Sequence, residues 1–286
     1  MRGTRLWLAI ALIASLFATA IVAGCGDDDD EATTDEPTAG APDLETLEEG
    51  KLSVGTDAPF EPFEIGQPGD PDFGGYDIDV MNAIAEELGL EAEYTNTGFN
   101  AIFRDTANGL FDTAAAASTI TEEREAVVDF TDPYYEAQQA LLVPEGSDIA
   151  SVEDLGGVIV GAQDGTTGEA YAEDETDAQE VRGFPQGPDA VSALITGQVE
   201  AVIIDQPVAA DAIEKQGGVE IAEEIATNEL YGFAIAPDND GLREAMNEAL
   251  ATLKEDGTLE SLYDEYFSTA PPESVISGTN ELLTDE

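Results

Sequence analysis

The sequence predicts an α/β fold made of two α/β units in series. Three observations lead there. Short apolar runs of strand length alternate with amphipathic stretches of helix length, and the alternation restarts after residue 145. Between an acidic N-terminal stretch and an acidic tail lie roughly 225 residues, enough for two lobes by the usual size of domains.

The elements follow in order. "KLSVGTD" from Lys51 reads as a strand, and "GYDIDVMNAIAEELGL" from Gly75 passes into an amphipathic helix ending near Gly89, with Asp77 and Asp79 ordering the turn into it. "EAEYTNT" reads as a second strand, "FNAIFRDTANGL" as a helix closed by Gly109, "FDTAAAA" as a buried strand and "TEEREAVVDF" as a short helix. The second unit repeats the alternation with "GGVIVGAQ" as strand, "TTGEAYAEDE" and "GPDAVSALITGQ" as helices, "VEAVIID" as strand and "QPVAADAIEKQ" as helix. "DGLREAMNEALATLKEDGTLESLYDEYF" reads as two helical segments with a break at Gly257. Alternation of this kind implies mixed, mostly parallel sheets flanked by helices.

Composition bounds the function. The 286 residues hold 63 Asp and Glu against 9 Lys and Arg with no His, a formal charge of -54 at pH 7. Nucleic acid is excluded as a partner, because phosphate binding needs clustered Lys and Arg. With 42% hydrophobic residues the chain still has material for a folded core, so the charge belongs to the surface. Such a surface repels itself unless salt screens it, which points to a high-salt habitat.

"MRGTRLWLAIALIASLFATAIVAGC" places Arg2 and Arg5 before an apolar run that ends in small residues and the only cysteine. A cleavable signal or an uncleaved anchor is one reading, since the run approaches the ~20 residues that span a bilayer. The other is a lipoprotein signal over 1–24, because "VAGC" resembles a lipobox with Cys25 as the lipidated first residue. Both put the remaining chain outside the cytoplasmic membrane. Residues 25–43 read as an acidic flexible tether, and 271–286 as a loosely ordered acidic tail.

In open α/β sheets, ligands collect beyond the C-terminal ends of strands, where loops and helix N-termini present N–H groups. Asp57, Ser118, Thr119, Gly165, Thr166, Thr167 and Asp205 all follow strand-like runs. Arg124, in "STITEERE", sits in a first helical turn, where a positive charge meets the positive end of the dipole. Taken singly, Arg124 could be a surface partner of Glu122 or Glu123, the aspartates turn residues or caps, and the threonines caps. No Walker motif, HExxH, GxSxG or metal-ligand cluster is present, and no cofactor is implied.

The segments "VGTDAPFEPFE", "GYDIDVMNAIAEELGL", "STITEERE", "VDFTDPYYEAQQALLV", "VGAQDGTTGEAYA", "AVIIDQPVA" and "LKEDGTLESLYDEYF" together resemble, in colinear order, the polar amino-acid-binding proteins of ABC importers. The resemblance implies a type II periplasmic-binding-protein clamshell: lobe 1 over 44–133 and 232–270, lobe 2 over 139–227, and hinge segments at 134–138 and 228–231. It implies that Arg124 holds the ligand α-carboxylate with Thr119 and Thr166, that Asp205 takes the α-ammonium, and that Asp57 faces the side chain between Phe60 and Phe99. Ser118, Gly165 and Thr167 fall in the same loops; Ala117 stands where relatives often have Gly or Ser, leaving a backbone contact, and Gln163 at a position that varies in the family.

The chemistry is consistent, since a zwitterion needs a guanidinium for its carboxylate and an acid for its ammonium. The implied partners are a free polar amino acid (arginine or lysine type, glutamine or histidine), an ABC permease, and the membrane through a lipid on Cys25. The chain is expected to act as a monomer and not as an enzyme. The alternatives are a dehydratase on the same clamshell, of the cyclohexadienyl or arogenate kind with Glu61 or Glu136 as acid, and a sensor that presents bound ligand to a receptor.

Overall fold

A computed structural model describes residues 44–280. The segment 1–24, Cys25, the tether 25–43 and residues 281–286 lie outside the described residues.

The chain runs β1 (Lys51–Thr56), α1 (Tyr76–Glu87), β2 (Glu91–Asn96), α2 (Phe99–Ala107), β3 (Thr113–Ala114), α3 (Glu122–Glu125), β4 (Asp129–Phe130) and β5 (Tyr135–Pro144). It continues through β6 (Ile159–Gln163), α4 (Thr167–Asp174), β7 (Glu180–Phe184), α5 (Gly187–Ile195), β8 (Ala201–Asp205), α6 (Gln206–Gln216) and β9 (Val219–Tyr231). The last elements are β10 (Ala234–Ile235), α7 (Asp240–Asp256), α8 (Thr258–Phe267) and α9 (Glu273–Ile276).

Two five-stranded sheets form, ordered β2-β1-β3-β10-β4 and β7-β6-β8-β5-β9. In the first, β1 pairs parallel with β2 and β3 while β10 is antiparallel to β3 and β4. In the second, β6 pairs parallel with β7 and β8 while β5 is antiparallel to β8 and β9. The architecture is the two-lobed clamshell with mixed sheets that the resemblance implies. Both sheets turn their parallel strand ends, Thr56 of β1 and Gln163 and Asp205 of β6 and β8, toward one cleft.

Burial explains the elements. In β1, Leu52 and Val54 are fully buried on one face, as period-two alternation requires. Helix α7 buries Leu242, Met246, Leu250 and Leu253, spaced to keep one helical face inward. Gly257, at φ 85, ends α7 in the left-handed conformation that only glycine adopts cheaply, and α8 starts beside it.

The long strands β5 and β9 link the sheets. Tyr231, at the end of β9, forms a bridge with Thr119, and the Ile120 N–H donates to the Leu230 carbonyl at 2.8 Å, so β9 reaches from the second sheet into the loop after β3. Their pairing shifts register between Ala137 and Gln139, and Asn228 opposite takes φ 52. An irregularity of this kind bends a strand pair locally, and it falls at the segments read as hinges. Beneath it Phe63, Tyr76, Tyr135, Tyr231 and Phe267 pack edge-to-face and tilted, with centroids 4.7 to 5.8 Å apart. Such pairs contribute about 0.5–1.5 kcal/mol each beyond their buried area.

Three readings need correction. "FDTAAAA" yields only a two-residue strand, because Ala115–Ala117 leave the sheet to form the cavity loop, with Ala117 at φ 44. Asp77 and Asp79, read as ordering the turn into α1, spend their hydrogen bonds outside that turn: Asp77 accepts the Ala117 N–H and the Tyr134 hydroxyl, and Asp79 accepts the Tyr266 hydroxyl. The tail is ordered through Asn280. Val275 in α9 is fully buried, Ser274 bonds Glu136, and Asn280 bonds Asp132 and Glu125.

Candidate functional site

A narrow cavity lies between the strand ends of the two sheets. Its wall is made by Asp57, Phe60, Phe99, Ala116, Ala117, Thr119 and Arg124 from the first unit and Gln163, Thr166, Thr167 and Asp205 from the second. The walls leave about 10 Å³ of free space, on the order of a single water, so an entering ligand has to part them. Ser118 is fully buried, and its hydroxyl donates to the Ala116 carbonyl, so its side chain turns away from the cavity. Gly165 lies at the outer mouth, beside Asn100 and Phe103.

Arg124 is fixed from several sides. Thr121 caps α3 by accepting the Arg124 N–H at 3.2 Å, and Glu122, Glu123 and Glu125 in the same turn offset the unfavourable dipole position. The guanidinium lies over the edge-to-face pair Phe99 and Phe103, 5.1 and 4.8 Å from their centroids. Nη1 donates to the Thr119 carbonyl at 2.7 Å and Nη2 crosses the cleft to the Gly165 carbonyl at 3.2 Å. A guanidinium carries five N–H donors, so these contacts leave donors for a carboxylate. Burial lowers its pKa, opposed by the nearby charges of Glu229 and Asp205. Gly165 must be glycine: at φ 79 an added Cβ would lie 2.4 Å from Asn100 Oδ1.

Carboxylates line the opposite walls. Asp57 accepts the Gln163 amide across the cleft at 2.6 Å, and burial pushes its pKa up to about 6 against that hydrogen bond. Asp205 accepts the Tyr231 hydroxyl at 2.5 Å and the Gln139 amide at 2.9 Å. Burial first, then the charge of Glu229, raises its pKa to about 7. Behind the cavity loop, Glu64 and Asp77 are fully buried together. No N–H or O–H of the described residues reaches either Glu64 oxygen, and burial, reinforced by the charge of Asp77, holds the Glu64 pKa well above the usual range.

Several residues here were not singled out from the sequence. Phe103 follows Phe99 by four positions on one helix face, a spacing that could have marked it. Glu229 accepts the Thr119 hydroxyl at 2.5 Å and the Thr167 hydroxyl at 2.7 Å; no sequence signal separates it from 62 other acids. The Thr119 and Thr166 hydroxyls, expected at a ligand carboxylate, spend their protons on Glu229 and on the Gln163 carbonyl. Thr166 also caps α4 by accepting the Glu169 N–H at 3.1 Å. Glu61 pairs with Lys215 and Glu136 with Ser274, and neither acid lines the cavity. Among the described residues no cluster of three or more His, Cys, Asp or Glu is arranged to hold a metal, and no helix is long and apolar enough to cross a membrane.

A cleft walled by both lobes, with one guanidinium and two buried carboxylates on its wall, is the arrangement of a solute-binding protein of the clamshell kind. The chain belongs to the bacterial extracellular solute-binding proteins, family 3, whose model matches residues 52–269. It is 30% identical over 268 residues to the ABC transporter glutamine-binding protein GlnH of Bacillus subtilis (strain 168), covering 92% of this chain and 98% of that protein. To the ABC transporter arginine-binding protein 1 of Escherichia coli (strain K12) it is 30% identical over 223 residues, 76% of this chain and 90% of that one. The solved structure of an ancestral arginine-binding protein bound to arginine superposes with a TM-score of 0.72 at 38% identity, over 76% of this chain and 98% of that one.

Proposed function

We propose that the chain binds an amino acid with a cationic side chain, L-arginine before L-lysine or L-histidine, outside the cytoplasmic membrane and delivers it to an ABC permease. One observation carries the choice: Asp57, Asp205 and Glu229 stand at or directly behind the cavity wall against the single cation Arg124. Arg124 pairs the α-carboxylate and Asp205 the α-ammonium, and Asp57 remains for a side-chain charge. A buried carboxylate left without a counter-charge is unfavourable, so an apolar side chain is rejected. The arginine-binding relatives support this order. L-Glutamine is the second reading, because the Gln163 amide already makes the contact to Asp57 that a ligand carboxamide would make.

The lobes close by bending at 134–138 and 228–231, Cys25 carries a lipid that tethers the protein to the outer face of the membrane, and the protein works as a monomer. The acids considered for a dehydratase lie off the cavity, which supports binding without turnover. The excess of surface acid suits a high-salt habitat, where the Debye length falls to about 3 Å at 1 M. The test is calorimetry of the detergent-solubilised full chain in molar salt against L-arginine, L-lysine, L-histidine and L-glutamine. Saturable binding, tightest for L-arginine, is expected, with no product from prephenate or arogenate. Tighter binding of L-glutamine would reject the cationic reading, and no binding of any would reject the amino-acid reading.

A further inference from the structure

Glu229 is on β9, behind the cavity and not on its wall. Three donors converge on its carboxylate: the Thr119 hydroxyl and the Thr167 hydroxyl both reach Oε2, at 2.5 and 2.7 Å, and the Gln139 amide reaches Oε1 at 3.1 Å. The same amide nitrogen bonds Asp205 Oδ1 at 2.9 Å, so two buried carboxylates fix its orientation. Thr119 comes from the loop after β3 and Thr167 from the start of α4, so one carboxylate oxygen clasps a hydroxyl from each unit. Thr119 and Thr167 line the ligand cavity on one side and a larger groove on the other, and Glu229 lies on the groove side.

A hydroxyl has a single proton to donate and two lone pairs to offer. With both protons drawn backward to an acceptor-only group, the two oxygens present lone pairs to the cavity, beside Asp205. We propose that Glu229 is a positioning residue that fixes Thr119 and Thr167 as acceptors, so that this end of the cavity recognises the ligand α-ammonium and repels a carboxylate. This rests on the reading that the site takes an amino acid. It moves Thr119 from the carboxylate, where the resemblance put it, to the ammonium, and leaves the carboxylate to Arg124.

The test uses analogues of L-arginine on the detergent-solubilised full chain: 5-guanidinopentanoate, which lacks the α-ammonium, and agmatine, which lacks the α-carboxylate. Affinities are measured by calorimetry for wild type, Glu229→Gln and Thr167→Val. In Glu229→Gln the amide donates to a hydroxyl and reverses it toward the cavity. The preference for L-arginine over 5-guanidinopentanoate should then fall about tenfold or more, the scale of one charge-assisted hydrogen bond. The preference over agmatine should stay within about threefold, since Arg124 is untouched. Thr167→Val, which removes one acceptor and keeps the fold of α4, should give a smaller loss in the same direction.

Equal weakening of all three ligands in both variants would mean a structural role and overturn the proposal, as would unchanged preferences. If the wild type takes L-glutamine instead, the same comparison runs with L-glutamine and glutaramate, so the choice of side chain and the role of Glu229 fail separately. If it binds no amino acid, both fall together.

Discussion

Replacing Arg124 by lysine and by alanine separates charge from geometry at the carboxylate end of the cavity. In the wild type the guanidinium lies against the rings of Phe99 and Phe103 and is pinned to the carbonyls of Thr119 and Gly165. The contacts within its own unit, to Phe99, Phe103 and the Thr119 carbonyl, orient its remaining N–H groups before the lobes close, so little entropy is lost in forming a bidentate pair. Each charge-assisted hydrogen bond contributes roughly 1.5–3 kcal/mol. Losing two in Arg124→Ala should weaken L-arginine binding by about 3–6 kcal/mol, roughly a hundred- to ten-thousandfold. Lysine keeps the charge but not the fork, and its flexible stem cannot reach both carbonyls and the ligand. Arg124→Lys should therefore lose about one bond, roughly ten- to a hundredfold. Calorimetry with L-arginine reads both numbers, and thermal unfolding without ligand checks that the fold survives. If Arg124→Ala binds within threefold of wild type, or if agmatine binds wild type as tightly as L-arginine does, Arg124 does not hold the carboxylate.

Asp57 and Asp205, with pKa values raised to about 6 and about 7, must be ionised to face a cation, so L-arginine affinity should climb from pH 5 to pH 8 and then level off; a flat profile contradicts the assignment. The same raised values act oppositely on the empty protein. Stabilisation from these groups is full below their unfolded pKa, near 3.8, and is lost as pH rises through about 7, so ligand-free unfolding temperature in fixed salt should be higher at pH 5 than at pH 8. Glu64→Gln, which keeps a neutral donor beside Asp77, should change stability by less than about 1 kcal/mol. Asp77→Ala, which orphans the buried Ala117 N–H and Tyr134 hydroxyl, should lose about 2–4 kcal/mol in denaturant titration. With a formal charge of -54, thermal stability should rise steadily between 0.1 M and 2 M salt, and a salt-independent midpoint would remove the case for a saline habitat.

Where local periodicity is strong, the fold was readable from residues alone. β1, α1 and the α7–α8 pair have clear apolar faces and glycine stops, and the structure gives them close to the expected bounds. β7 and β9 were passed over for a physical reason. β7, "EVRGF", is a half-exposed edge strand with an arginine and a glycine inside it. β9, "VEIAEEIATNELY", turns Glu220 and Glu224 outward along an edge, so in an acid-rich chain its alternation reads as solvated surface. Pairing of β5 with β9 joins residues about 90 positions apart, which no local pattern encodes. At the site, Arg124 was legible because basic residues are scarce, and Asp57 and Asp205 because they end strands. Glu229 was not, because its importance arises only when Thr119 and Thr167 are brought together on either side of it.

The excess of buried carboxylates over Arg124 selects a charged side chain. L-Citrulline tests it most directly, since it has the shape of L-arginine with a neutral ureido group. Measured side by side in molar salt at pH 8, L-arginine should bind at least tenfold more tightly, the difference between a charge-assisted and a neutral hydrogen bond. Equal affinities, or tighter binding of L-citrulline, would contradict the account and leave the second reading, recognition of a neutral amide, in its place.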